Sequence, residues 1–565
     1  MRRELHMAST KGRPSGQSQL SSAGVAIGVV GCVLLTASSV YTALKLGALP
    51  WPTIFTSIIS LVLLRAFGHR DVNDANVTQV VMSAGSMVAG GIAFTIPGIW
   101  MLGLSDQTSL WEMLFVALAG VLLGLVATAL IRRRFVDESD LEYPVGVAAA
   151  QTLQASKAGG QTGRRLFGAM GVAGLYAWLR DGLGVLPALL LPLGLPGMEV
   201  GIIYNSPMSL CMGFLVGGVP ILVWFLGALI GEGGIMVAGT MAGLWDVTTA
   251  TGIVRSLGMG LMMGSGVGVI LHDLLPKIVV AARKGGADGG EDGAPGIADA
   301  WVRGMRGPLA LMVAAAALLV CFGLGLGPLA SVVIVCLAFV TAIMSAQSVG
   351  QTGIDPMEIF GLIVLLLIAA LGESDQVRLF YVAGVIAVAC GIGGDVMADF
   401  KTGALLGTDS KTMWKGQVLG ALIGTVVASV TMFALLGAYG ADAFGPGKAF
   451  VATQSSVVAT MVTGIPNAPA FWIGLVSGTV LYCLGFPTMM LGLGVYLPFY
   501  LSLTGALGGL AKVVYDRVGA RRARGEEGEL SHEDAGIVVA SGLLGGESIV
   551  GVVIALVAVV AGLVG

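Results

Sequence analysis

The stretch GGDVMADFKTGALLGT, residues 393–408, sets Asp395, Asp399 and Lys401 at the mouth of an apolar segment with glycines on both sides. Its centre, ADFKTGALL (398–406), has an approximate copy near the start of the chain, TALKLGALP (42–50). Lys45 falls on Lys401 and Gly47 on Gly403. A polar lysine motif that recurs in so apolar a chain suggests a duplication built around a polar site.

Working outward, the 565 residues are 56% hydrophobic and 11% charged, with a mean hydropathy of +0.90. Soluble domains carry about 25% charged residues. The shortfall is too large for a soluble protein with one buried helix, so the chain reads as an all-α, polytopic membrane protein. Glycine, at 88 residues, is what membrane helices use to bring backbones together and to break where a site forms. The six cysteines and four histidines show no paired or ligand spacing, so neither a disulfide framework nor a metal site is expected, and no cofactor. Gly445-Pro446-Gly447-Lys448-Ala449 lacks the Ser/Thr of a Walker A loop, which argues against ATP-driven transport by this chain alone. There is no HExxH, and Ser265 has no plausible base nearby in sequence. An intramembrane enzyme is therefore the weakest reading. The net charge of -3 resides in loops, and no nucleic-acid partner is expected.

Apolar runs recur from residue 23 to residue 563. Several are shorter than the roughly 20 residues a spanning helix needs. About sixteen membrane helices are expected, some short or broken. Basic clusters place one set of ends inside. They are Arg2 to Arg13, Arg65 and Arg70, Arg132 to Arg134, Lys157 with Arg164 and Arg165, Lys277 to Arg306, Lys411 and Lys415, and Arg517 to Arg524. The connections at 104–110 and 372–376 lack lysine and arginine and are expected outside. The resulting division is a disordered basic cytoplasmic terminus (1–19), a first membrane repeat (20–230), central helices with a cytoplasmic loop at 277–306 (231–375), and a second repeat (376–565). Thr78-Gln79 and Thr453-Gln454 each open an apolar run, and Tyr143-Pro144 and Phe486-Pro487 each precede a short one. The charge-derived topology gives these copies opposite directions, the trace of an inverted repeat with its site at the interface. The competing reading is chance similarity among Gly/Ala/Leu-rich segments.

A charge at the bilayer centre costs on the order of 3 kcal/mol, so charges inside apolar runs are functional candidates. Asp355 and Glu358 flank Pro356 at a helix start, which reads equally well as a capped terminus. Glu547 lies mid-run between glycines with no basic neighbour in sequence. Desolvation is expected to favour its neutral form, making it the first choice for carrying a proton, ahead of Asp395 and Asp399, which are expected to stay charged beside Lys401. Arg180-Asp181 reads as a neutralising pair that only breaks its helix. Asn76, Gln79 and Ser83 lie at helical spacing, so one polar stripe faces either a cavity or a neighbouring helix.

At these motifs the chain resembles the oligopeptide transporter (OPT) family, whose branches include bacterial peptide transporters and plant yellow stripe-like chelate carriers. The similar stretches include Tyr41–Gly47, Asn76–Gln79, Tyr143-Pro144, TGIDPMEIFG (352–361), GDVMADFKTGALLG (394–407), FPTMMLGLGVYLP (486–498) and SGLLGGES (541–548). The Asn-Pro-Gly and Lys-Ile-Pro-Pro-Arg motifs of the eukaryotic peptide branch are absent. The resemblance implies proton-coupled uptake of small peptides or peptide-like metal chelates through an inner membrane. In that reading Asp395, Asp399 and Lys401 recognise substrate charge, while Asn76, Gln79, Tyr143, Gln347, Thr453 and Gln454 hydrogen-bond peptide groups. Glu547, Glu358 and Asp355 couple the proton. The partners are substrate, protons and the bilayer, with a homodimer left open. The rival is an uncoupled channel or a lipid-handling protein.

Overall fold

The computed structural model describes residues 19–46, 52–139, 141, 143–155, 160–193, 195, 201–268, 271–272, 299–352, 355–463, 465–522 and 532–564. The basic N-terminal segment, residues 47–51 of the TALKLGALP copy and most of the 277–306 loop lie outside the described residues. Among the described residues the chain is helical. A two-residue antiparallel ladder, β1 (Leu189–Leu190) with β2 (Ile203–Tyr204), is the exception. Nine described helices are long and apolar enough to cross a membrane, and four apolar ones are shorter.

The first half runs α1 (Ser22–Leu46), α2 (Pro52–Ala66), α3 (Val72–Ala93), α4 (Pro97–Met101), α5 (Leu110–Arg132), α6 (Pro144–Ala155), α7 (Gly160–Ala177), α8 (Pro207–Val216), α9 (Gly218–Ala228) and α10 (Val247–Gly268). Among the described residues, a helical turn at Ala300–Arg303 and then α11 (Arg306–Leu318) lead into the second half. There follow α12 (Gly327–Thr352), α13 (Met357–Ala370), α14 (Gln376–Cys390), α15 (Val396–Leu406), α16 (Ser410–Tyr439), α17 (Thr453–Thr463), α18 (Ala468–Cys483), α19 (Thr488–Tyr496), α20 (Phe499–Arg522) and α21 (His532–Val564). In this order the halves match element by element, α1 with α12 through to α10 with α21. Four pairs agree closely in length, beginning with 25 and 26 residues for the first and 15 and 14 for the second. The short helices α6 and α17 have 12 and 11 residues, and α8 and α19 have 10 and 9.

Packing repeats in the same way, and glycine makes it close. Gly120 and Gly124 of α5 press on Val385 and Ala389 of α14, while Gly420 and Gly424 of α16 press on Val81 and Gly85 of α3. Gly542 and Gly546 of α21 meet the backbone of Leu166 and Met170 in α7. Their counterparts Gly260 and Gly264 of α10 meet that of Phe471 and Leu475 in α18. The counterparts α3–α4 and α14 also touch each other: Met87 against Gly391, Gly91 against Val388, Thr95 against Gly384, Gly98 against Phe380. One chain advances as the other recedes, so the two helices are antiparallel. A two-fold that exchanges antiparallel helices lies perpendicular to them, in the membrane plane, which is an inverted repeat. These spans also hold the two most enclosed apolar stretches: the most apolar part of Val72–Met101 is wholly buried and that of Gln376–Leu406 is 94% buried.

The pairing within the repeat differs from the sequence-based expectation. Counterpart segments are 22–268 and 327–564, not 20–230 and 376–565. Tyr143 matches Ala452, not Phe486. Both take positive φ, 49° and 42°, immediately before a short helix. The Tyr143 N–H donates to Gly350 O at 2.9 Å and the Ala452 N–H to Leu44 O at 2.9 Å. Leu44 thus corresponds to Gly350, so Lys45 ends the first helix of its half while Lys401 sits in the third unit of the other. Short matches among Gly, Ala and Leu recur by composition, and element order with packing is the stronger register.

The orientation has a direct test in a background without the native cysteines. Cysteines at Asp106 and Ser374, in the α4–α5 and α13–α14 connections, are expected to react with an impermeant maleimide from outside. One at Lys411, in the first turn of α16, is expected to stay protected until the membrane is opened. Labelling of position 411 from outside would reverse the assignment.

Candidate functional site

Two buried polar clusters lie at the interface of the halves. The first forms where α14 passes into α15. The π turn Gly391–Asp395 interrupts the α pattern within the continuous helical span Gln376–Leu406, and Asp399, one turn further on, lies against α3. The Asp399 carboxylate accepts from Gln79 Nε2 at 2.7 Å and from the Ser83 hydroxyl. The stripe on α3 therefore faces a partner helix. Asn76, at the same stripe, donates to Thr408 Oγ1 at 3.1 Å, and Thr408 donates to Asn73 Oδ1 at 2.9 Å. Asp395 lies within electrostatic reach of Asp355, Asp399 and Glu358. Asp355 stands in the break between α12 and α13, and Glu358 in the first turn of α13.

Lys401 closes one end of this cluster. Its ammonium donates to Leu141 O at 3.1 Å and Val136 O at 3.4 Å, and sits 5.9 Å from the centre of the Tyr143 ring. The Tyr143 hydroxyl donates to Ala346 O at 3.1 Å. Several buried polar atoms here have no hydrogen-bond partner among the described residues: Asn76 Oδ1, Gln79 Oε1, Gln347 Nε2 and both carboxyl oxygens of Asp355. Buried polar groups are nearly always satisfied, so water or another polar partner is expected to meet these atoms. The structure thus gathers Asn76, Gln79, Tyr143, Gln347, Asp355, Glu358, Asp395, Asp399 and Lys401 around one π turn.

Glu547 belongs to the second cluster. Glu547 is not alone, as its sequence neighbours had implied. Arg180 Nη2 donates to its Oε1 at 2.7 Å, Ser206 Oγ donates to the same oxygen at 2.7 Å, and Met208 N–H donates to Oε2 at 2.8 Å. The Met208 N–H belongs to the first turn of α8, whose N-cap is Ser206. The carboxylate therefore meets a guanidinium and the positive end of a helix. Arg180 also grips Asp181 through two bonds, of 2.8 and 2.6 Å, and donates to Asn205 O at 2.6 Å. Arg180-Asp181 thus does more than end its helix: it ties its own segment and that of Asn205 to α21. The side chains of Arg180 and Glu547 are each 1% exposed. The sequence carried a signal for Arg180, a cation inside an apolar run, but its partner is 367 positions away.

Lys45 stands nearby, its ammonium 5.2 Å from the Phe450 ring centre and 5.8 Å from that of Tyr41. Thr453 and Gln454 open α17 just beyond the Ala452–Leu44 hydrogen bond. Leu44 and Gly350 are exchanged by the two-fold, so Lys45 and Lys401 occupy opposite ends of the interface.

Comparison with known proteins agrees with this architecture. A family model described as "OPT oligopeptide transporter protein" matches residues 19–278 and 296–558. A Haemophilus influenzae protein named "Putative oligopeptide transporter" is 25% identical over 91% of this chain and 92% of its own length. The Arabidopsis thaliana protein named "Metal-nicotianamine transporter YSL2" is 37% identical over a shorter stretch, 16% of this chain and 14% of its own.

Proposed function

Because the chain belongs to the OPT oligopeptide transporter family, we propose that it imports small peptides or peptide-like metal chelates across an inner membrane together with protons. Membership of the family makes it a transporter and not an enzyme. The observation that carries the finer reading is the gathering of Asp355, Glu358, Asp395 and Asp399 at one buried π turn. Four carboxyls in so apolar a setting are costly as four charges. A proton or the ammonium of a substrate relieves that cost, which links the two cargoes at one place. Asn76, Gln79 and Gln347 supply unpartnered amide atoms for peptide groups. The inverted repeat offers the symmetric pair of states that alternating access uses.

Counterflow in proteoliposomes tests the reading. Vesicles preloaded with unlabelled trialanine, or with the iron(III) complex of an amino-carboxylate chelator, are expected to take up the labelled compound above equilibrium. An inward proton gradient is expected to drive accumulation that a protonophore collapses. Equilibration without overshoot would favour an uncoupled channel.

A further inference from the structure

Among the described residues, Lys45 is a cation of the second cluster with no ion-pair partner. Asp181 and Glu547 act on it only at longer range, and both are held by Arg180 at 2.6 and 2.7 Å. Among the described residues no carboxylate lies within ion-pair distance of its ammonium, which rests against the Tyr41 and Phe450 rings instead. Lys45 keeps some exposure, so a ligand can reach it.

The helix beside it is poised for the same kind of ligand. The 11-residue α17 begins at Thr453, anchored to the last turn of α1 by the bond from Ala452 N–H to Leu44 O. Its first-turn N–H groups have no intrahelical acceptor and carry the positive end of the helix dipole. Thr453 is fully buried, and its Oγ1 has no hydrogen-bond partner among the described residues. The backbone bond between Ala452 and Leu44 sets the residue that carries the ammonium beside a helix N-terminus with an unsatisfied hydroxyl, groups complementary to a small oxyanion.

We propose that Lys45, Thr453 and the first turn of α17 form a binding subsite for a carboxylate group of the transported molecule, walled by Tyr41 and Phe450. The inference rests on the transport reading above. It assigns the substrate's negative end to Lys45, at the opposite end of the interface from Lys401, and leaves its positive end to the carboxyl cluster. A peptide C-terminus and a carboxylate of a chelate share this chemistry.

Thermal-shift titrations on the purified full-length protein test it with three probes: trialanine, trialanine amide and citrate. Trialanine and citrate are expected to raise the melting temperature of the wild type, and the amide is not. K45M is expected to lose the carboxylate-dependent shift, and K45R to retain it. T453V is expected to weaken apparent binding by about tenfold, the loss of one charge-assisted hydrogen bond. The subsite is overturned if neither carboxylate shifts the wild type up to about 50 mM, weaker than any useful affinity. It is also overturned if the amide matches trialanine, or if K45M shifts like the wild type. Should K45M not survive purification, T453V decides, and unchanged affinity there overturns the subsite. Uptake in proteoliposomes separates this inference from the reading it rests on. Carboxylate shifts lost in K45M, without uptake of any peptide or chelate, keep the subsite and remove the proposed cargo. Uptake that K45M leaves unchanged keeps the transporter and removes the subsite.

Discussion

Asp395→Asn is expected to abolish accumulation driven by a proton gradient while leaving exchange of labelled for unlabelled substrate near the wild-type rate. Asp395 closes the π turn that follows α14, with Asp355, Asp399 and Glu358 all acting on it. Asparagine keeps the shape and the polarity, and removes the charge that a proton or a substrate ammonium would meet. A carrier so altered still cycles with substrate bound on both sides but no longer couples to protons. Proteoliposome uptake with and without a pH gradient, followed by counterflow, reads the two quantities separately. Concentrative uptake at the wild-type level would remove Asp395 from the coupling step. Glu547→Gln, in contrast, alters a carboxylate already engaged by Arg180, Ser206 and Met208, so it ranks below Asp395 as a coupling candidate.

The second large effect concerns stability. Arg180→Leu leaves Glu547 buried with its guanidinium partner gone, and breaking a buried pair from one side costs about 3–5 kcal/mol. The variant is expected to show a strongly lowered melting temperature and poor recovery from the membrane. The double substitution Arg180→Leu with Glu547→Leu removes both charges, and replacing a buried pair by apolar residues is often close to neutral. Most of the lost stability is expected to return. If the double variant is no more stable than the single one, the pair does not act as a unit. A double variant that is stable but transports nothing would show that the ionic link serves the transport cycle as well as the fold.

How much of the site was legible depends on distance along the chain. GGDVMADFKTGALLGT announces itself because charges beside glycines inside an apolar run are rare, and the structure puts Asp395 in a π turn with Asp399 and Lys401 on the helix that follows. The α3 stripe was legible for the same reason, since Asn76, Gln79 and Ser83 repeat with helical period. Its partner was not, because Gln79 and Asp399 are 320 positions apart. Glu547 was misread for that reason as well: its neighbours in sequence are apolar, and its neighbour in space is Arg180. The repeat was legible as an idea and illegible as a register. A few shared letters in Gly/Ala/Leu-rich helices cannot outweigh chance, whereas ten paired elements and their matched glycine contacts can.

Sequence alone determined what the bilayer demands of any chain: a helical, polytopic protein, because a chain this apolar with so few charges can satisfy its backbone in lipid only by helices. It also determined which polar residues are costly enough to matter. Tertiary structure decided which of them meet. It paired Glu547 with Arg180, turned the α3 stripe onto Asp399, and left Lys45 beside the start of α17. Hydropathy is a property of each residue and adds along the chain. The energy of a buried charge depends on what faces it, and that is settled only when distant helices pack.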